Sequence, residues 1–293
     1  MGYLYLSLSK IFSIGKMVAV KKCGNIATGT KNSVIINLFR SLGCIAVSVI
    51  VCLISGFDAM DSQGFWLSAL SGIANGILLC TWILAANNAP MSTVEVFCMI
   101  GGVVLPLIIS PIFLEGDSVS LIQWIGSLLL FAAMFCLSKK GGGAKLTPRG
   151  IFLLIICGLS NAGCVISQKM FVSFSQGSVA DFQLLTYVFC AVTLSVLLLF
   201  MQLFIKSEAE ESRKITRTAI IYIAVAVVLM YLSQLLSTIA SGKLSSAVFY
   251  PLSYVIAMPL VFLVDVILFK EKITPTSIIG IILVVISGIL INI

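Results

Sequence analysis

Ser138-Lys-Lys-Gly-Gly-Gly-Ala-Lys-Leu-Thr-Pro148 is the clearest linker in this chain. Three consecutive glycines and a closing proline break any helix, and three lysines set the segment apart from the apolar sequence on either side. Five apolar stretches precede it and five follow. A helix needs about 20 mostly apolar residues to cross a bilayer. By that rule the spans are 2–20, 33–56, 65–87, 90–114 and 119–138, then 150–172, 182–205, 219–240, 244–269 and 275–293.

Composition agrees. Hydrophobic residues make up 60% of the 293-residue chain and charged residues 10%, where a soluble domain carries about a quarter charged residues. Lipid offers no partner to an open backbone, so the spans must be helices. Barrel strands would alternate polar and apolar residues over about ten positions, and these runs do not. The expected fold is an all-α integral membrane protein of ten transmembrane helices, with no room for a soluble catalytic domain. The first span is read as a helix and not as a signal peptide. It lacks a small-residue cleavage site, and its lysines lie inside and after the apolar part.

The segments on either side of the linker, 1–138 and 149–293, align with each other around the linker 139–148. Ser92-Thr93-Val94 and Pro106 match Ser245-Ser246-Ala247 and Pro259. Asp117 to Ser120, followed by Gly126, matches Glu271 to Thr274, followed by Gly280. Gly15 with Lys21 matches Gly163 with Lys169. Such ordered matches point to an internal duplication. Five is odd, so the two halves lie in opposite orientations, the inverted-repeat plan of secondary transporters, which place their site near the midplane between repeats.

The net charge of +7 is distributed unevenly. Thirteen of the 18 lysines and arginines fall in loops after odd-numbered spans, against Lys169 and Lys243 on the other side. The positive-inside rule then puts the linker in the cytosol and both termini outside a plasma or inner membrane. This is not a basic patch for nucleic acid. The nine cysteines lie in or beside spans without a C-x-x-C pair, and histidine is absent, so a zinc site is not expected. No Walker or GxGxxG loop is present, which argues against direct use of ATP, and no cofactor is expected.

Ala240-Ser-Gly-Lys-Leu-Ser-Ser-Ala247 opens the ninth span, Leu268-Phe-Lys-Glu-Lys-Ile-Thr274 leads to Gly280 and Gly288 in the tenth, and Arg40 lies early in the second. These residues resemble the drug/metabolite transporter superfamily, in particular its EamA-type ten-helix members, over essentially the whole chain. The resemblance implies a cavity between the halves, alternating access, and export or exchange of small metabolites by a chain that needs no partner subunit to complete its cavity.

Charged residues inside a bilayer usually face a cavity or a partner. Lys10 is about 15 Å deep in the first span at ~1.5 Å per residue, and with Ser13 and Lys16 it forms a stripe at helical spacing. It is a candidate anchor for a carboxylate or phosphate, unless the span is shifted and leaves it near headgroups. Lys16, Arg40 and Glu95 lie toward the cytosolic ends of their helices, as an ion-paired gate or as snorkelling bases. Glu95 is also a candidate proton-coupling carboxylate. Asp265 reads as an interfacial partner of Lys270 and Lys272. Asn75, Trp82, Asn87, Ser233, Gln234 and Tyr250 either line a cavity or bond helix to helix. Gly101-Gly102 reads as close helix packing.

The expected function is secondary transport of a small anionic or zwitterionic metabolite, amino-acid-like, with coupling to a proton or ion gradient. The competing class is an intramembrane lipid-modifying enzyme. Without histidine or a paired-carboxylate motif, it would need an unusual base such as Lys10.

Overall fold

The computed structural model describes residues 1–24, 30–88, 91–114, 119–138, 147–204, 217–268 and 274–293. The ordered elements are helices α1 (Gly2–Gly24), α2 (Thr30–Ser55), α3 (Ser62–Asn88), α4 (Met91–Met99), α5 (Leu105–Phe113), α6 (Leu121–Ser138), α7 (Pro148–Phe174), α8 (Val179–Phe204), α9 (Arg217–Ser241), α10 (Ser246–Leu268) and α11 (Pro275–Ile291). A π-helical segment, Ile100–Val104, joins α4 to α5. There is no strand among the described residues.

Eight helices are long and apolar enough to cross a membrane, counting Val96–Phe113 through the π segment as one. Leu121–Leu137 and Pro275–Ile291 are shorter apolar helices. Large apolar side chains such as Leu53, Trp66, Leu121 and Leu203 are exposed on the outer surface. In water such a surface would aggregate; in lipid it is the expected exterior. The chain has the build of a multi-pass helical membrane protein.

Helix ends follow local chemistry. Gly56 takes φ 87° and ends α2, a conformation that costs glycine little. Thr147 accepts from the Gly150 N–H at 3.1 Å ahead of Pro148, and Thr274 accepts from Ser277 N–H at 3.2 Å ahead of Pro275. Each is a side-chain N-cap with proline in the first turn. The π segment also has a cause in the sequence. Pro106 has no N–H to offer one turn back, and just before it the Leu105 N–H reaches five residues back to the Ile100 carbonyl. Gly101 and Gly102 lie inside this widened turn and are both buried.

The helices pair across the linker more than within either half. Four of the five most extensive contacts are α3 on α7, α1 on α9, α6 on α11 and α2 on α8, the fifth being α3 on α8. All four pairs are antiparallel. Gly2 abuts Leu244 beyond the end of α9, while Gly15 meets Leu229 farther back along it. Gly126 near the start of α6 touches Ile291 at the end of α11, and Gly280 meets Leu137. Along α3 and α7, Cys164 contacts the Ser71 carbonyl and Gly64 the Ser175 hydroxyl. α3 also runs beside α8, where Gly72 and Gly76 let the backbones approach; a methyl at Gly72 would strike the Thr186 carbonyl. Small residues at this spacing are the usual device for close helix packing in lipid.

Polar residues enter the bundle mostly self-satisfied. Ser41, Ser48, Ser68, Ser167 and Ser253 each donate to the carbonyl four residues earlier, so their hydroxyls do not need water. The largest apolar core gathers Leu6, Met99, Leu107, Leu130, Phe249 and Val284 from α1, α4, α5, α6, α10 and α11.

Candidate functional site: a cationic junction beside α9

α9 is the helix on which polar side chains from four other helices converge. From α1, the Ser9 hydroxyl donates to the Ser233 carbonyl at 2.8 Å. From α2, Arg40 Nη2 donates to Met230 Sδ at 3.3 Å, while its Nη1 donates to Asn37 Oδ1 at 2.7 Å. From α7, the Gln168 amide donates to Gln234 Oε1 at 3.3 Å. From α8, the Gln183 amide donates to Thr238 Oγ1 at 2.8 Å, and Thr238 passes its own proton to the Gln234 carbonyl at 2.9 Å. Interhelical hydrogen bonds in membranes contribute about 0.6 kcal/mol each, so the set fixes register more than it adds stability.

Beside this junction stand the cations. Lys10 and Lys16 are on α1, and Lys16 lies in the electrostatic field of both Lys10 and Arg40. Arg40 is buried and also acts on the thiols of Cys44 and Cys190. Both lysines are partly buried and partly accessible. Inserting a lysine at the centre of a bilayer costs roughly 3 kcal/mol on the insertion scale. Neither ammonium makes a hydrogen bond or an ion pair among the described residues.

The other sequence candidates divide. Ser13, between the two lysines, is partly accessible. Asn75 is buried, on a stripe of α3 with Ser68 and Ser71. Gln234 joins the junction through Gln168. Trp82 packs in a separate apolar cluster with Ala85, Val94, Cys98 and Leu154. Tyr250 is 1% exposed in the main core, its ring edge-on to Phe249 and its hydroxyl accepting from Ser110 at 3.2 Å. The side chains of Glu95, Asn87 and Asp265 lie outside the described residues. Among the described residues no cluster of His, Cys, Asp or Glu could hold a metal.

Several polar residues that matter here carry no sequence signal of their own. Asn37, Gln168, Gln183 and Thr238 become visible only when their partners on distant helices are known. Asn161 on α7 donates to the Cys98 carbonyl at 2.7 Å and to the Tyr254 hydroxyl at 3.2 Å, closing around Gly102 of the π segment. Lys169, which its near-terminal position in a span suggests is a loop-side base, is buried inside α7. It donates to the carbonyls of Ser241 at 2.7 Å and Leu244 at 2.6 Å, tying down the turn between α9 and α10.

No family model matches the chain, and no characterised protein matches it in sequence. In three dimensions it matches 28 solved chains. One of them, a crystal structure of a protein, superposes with a TM-score of 0.71 over 100% of this chain and 98% of its own, at 15% sequence identity. At that identity the similarity is one of fold: the whole helical arrangement recurs in a solved protein of nearly the same extent.

Proposed function

We propose that this protein is a secondary transporter of the drug/metabolite type, built as ten membrane passages in two inverted five-helix repeats and moving a small anionic or zwitterionic metabolite by alternating access. The two halves exchange helices reciprocally: α1 of the first packs on α9 of the second as α3 of the first packs on α7 of the second. Of the other large pairs, α2 with α8 and α6 with α11 join corresponding helices of the two halves, and α3 with α8 is mirrored by the smaller α2 with α9. That pattern is what a two-fold axis in the membrane plane produces.

The observation that carries the reading is the pair of partly buried lysines on α1, beside a polar junction and, among the described residues, without a hydrogen-bond or ion-pair partner. A scaffold has no use for such charges, whereas a site for an anion does. The cargo enters and leaves through the bundle, and no cofactor or nucleotide takes part. The termini face away from the cytosol, and a single chain suffices because both halves are present.

The test compares metabolites inside and outside cells expressing the wild type, Lys10→Met, or neither, at matched membrane abundance. Redistribution of a compound by the wild type alone supports transport and the role of Lys10. A compound newly formed or consumed, with no redistribution, would replace this reading with an intramembrane enzyme.

A further inference from the structure

Asn161 stands thirteen residues from each end of α7 (Pro148–Phe174). Gly102 of the π segment stands eleven residues from each end of the passage that runs from Met91 to Phe113. Both are midway through their helices, the depth at which a transporter of inverted repeats holds its cargo. They also meet. Asn161 Nδ2 donates to the Cys98 carbonyl of α4 at 2.7 Å and to the Tyr254 hydroxyl of α10 at 3.2 Å, and a methyl at Gly102 would come within 2.7 Å of the same nitrogen.

These contacts hold the amide in one orientation and use both Nδ2 hydrogens. Oδ1 accepts no hydrogen bond from any described residue. Asn161 is partly accessible, and its Oδ1 is not one of the sealed polar atoms that lack a partner, so a small molecule can reach it. Asn161, Val165 and Gln168 follow the i, i+4, i+7 spacing of one helix face. Val165 packs on the core that holds Leu6 and Tyr250, and Gln168 donates to Gln234 of α9. The face that carries Asn161 is therefore turned to other helices and not to lipid.

A carbonyl oxygen in such a place gains from a donor and loses when a bound molecule covers it without one. A site of this kind rejects the analogue that lacks the donor, because that analogue leaves the oxygen unpaired. We infer that Asn161 Oδ1 is the acceptor of a cargo subsite at the midplane, held in place by the Cys98 carbonyl and the Tyr254 hydroxyl, and that the transported acid carries an ammonium or hydroxyl donor. The inference deepens the transporter reading and rests on it for the carboxylate of the cargo and for its movement.

The experiment measures thermal stabilisation of the purified, detergent-solubilised full chain at neutral pH. The probes are alanine, lactate and propionate at equal concentration and ionic strength. They share one carbon skeleton and one carboxylate, and differ in bearing an ammonium, a hydroxyl or only hydrogen at the second carbon. Alanine or lactate should raise the melting temperature while propionate leaves it unchanged; whichever acts names the source of the donor. Asn161→Leu, close to asparagine in size, should weaken that ligand by about tenfold or more. Equal protection by propionate overturns the inference, as does protection by none of the three, and neither result needs a variant to fold. An amide that only ties α4 to α7 gives a different signature: Asn161→Leu melts lower without ligand yet keeps the wild-type affinity, and that result also overturns the inference. Counterflow in proteoliposomes keeps the two readings apart. A ligand that protects through Asn161 but never crosses sinks transport and leaves the subsite standing, whereas propionate crossing as readily as the donor-bearing acids keeps transport and sinks the subsite.

Discussion

The sulfur atoms of Cys98 on α4 and Cys157 on α7 lie 3.4 Å apart, both buried and neither in a disulfide. They face each other across the two halves of the chain. A disulfide requires about 2.05 Å between sulfurs, so a small closure would join them. Treatment with copper phenanthroline should therefore crosslink this pair, read as a loss of two hydrogens in the linked peptides by mass spectrometry. Cys98→Ser should abolish the link. On the transporter proposal, a cycle that moves α4 and α7 apart predicts that the crosslinked protein stops transporting and recovers on reduction. Full transport by quantitatively crosslinked protein would show that this contact stays closed through the cycle.

Directly beside that pair, the backbones of α4–α5 and α7 touch. A methyl group at Gly101 would overlap the Gly158 carbonyl, and one at Gly158 would come within 2.8 Å of the Phe97 carbonyl. Backbone cannot swing aside as a side chain can. Gly101→Ala should therefore destabilise the protein by about 2 kcal/mol or more, the scale of overpacking in a close-packed interior. Gly177→Ala is the control: its new methyl meets only the flexible Met60 side chain, at 3.3 Å. Melting in detergent should separate the two variants. A Gly101→Ala protein as stable as the wild type would mean the interface relaxes by sliding.

Much of this architecture is legible in the chain because lipid is an unforgiving solvent. A backbone can cross it only as a helix or a closed barrel, and runs of about 20 apolar residues without alternation on either side of the glycine linker can only be helices. Gly101-Gly102 reads as close packing and is found packed. What the sequence does not display is which helix each polar residue will meet. Gln168 and Gln234 are ordinary amides until α7 and α9 are brought side by side. Trp82 and Tyr250 look like cavity residues because they join an aromatic body to a polar tip, and both are packed against apolar neighbours. Lys169 reads as a loop-side base because it lies near the end of a span, and only the return of the chain after α9 reveals the carbonyls it serves.

Those carbonyls make Lys169 a test of structure as distinct from cargo binding. Its ammonium donates to Ser241 and Leu244 from a buried position. Lys169→Met removes the donor and leaves both carbonyls to find other partners, a change that costs about 1–3 kcal/mol for a buried group left unsatisfied. The expected result is a lower melting temperature, with the affinity for any bound anion unchanged in the protein that remains folded. A selective loss of anion affinity at unchanged stability would instead move Lys169 into the site.

The turns before α3 and α8 are joined by carboxylates, and this sets a pH dependence. Asp61 accepts from the Ser175 hydroxyl at 2.6 Å and from the Gly64 N–H at 3.0 Å, while Asp181 accepts from the Asp58 N–H at 3.1 Å. The Ser175 hydroxyl, helped by backbone N–H groups, holds the Asp61 carboxyl below its usual range. A depressed folded-state value means the charged form is favoured by folding. Its contribution is therefore complete above the ordinary carboxylate pKa and is lost as the pH falls through the lower folded value. The Asp61 half of this clasp should thus keep its contribution across neutral and mildly acidic pH and lose it only as the pH falls below the ordinary carboxylate range. Asp61→Asn should lower stability modestly at neutral pH, since this surface group is well solvated. The difference between variant and wild type should vanish at the acidic end of the same melting series. A gap that widens toward low pH would mean that the protonated carboxyl is the form the turn prefers.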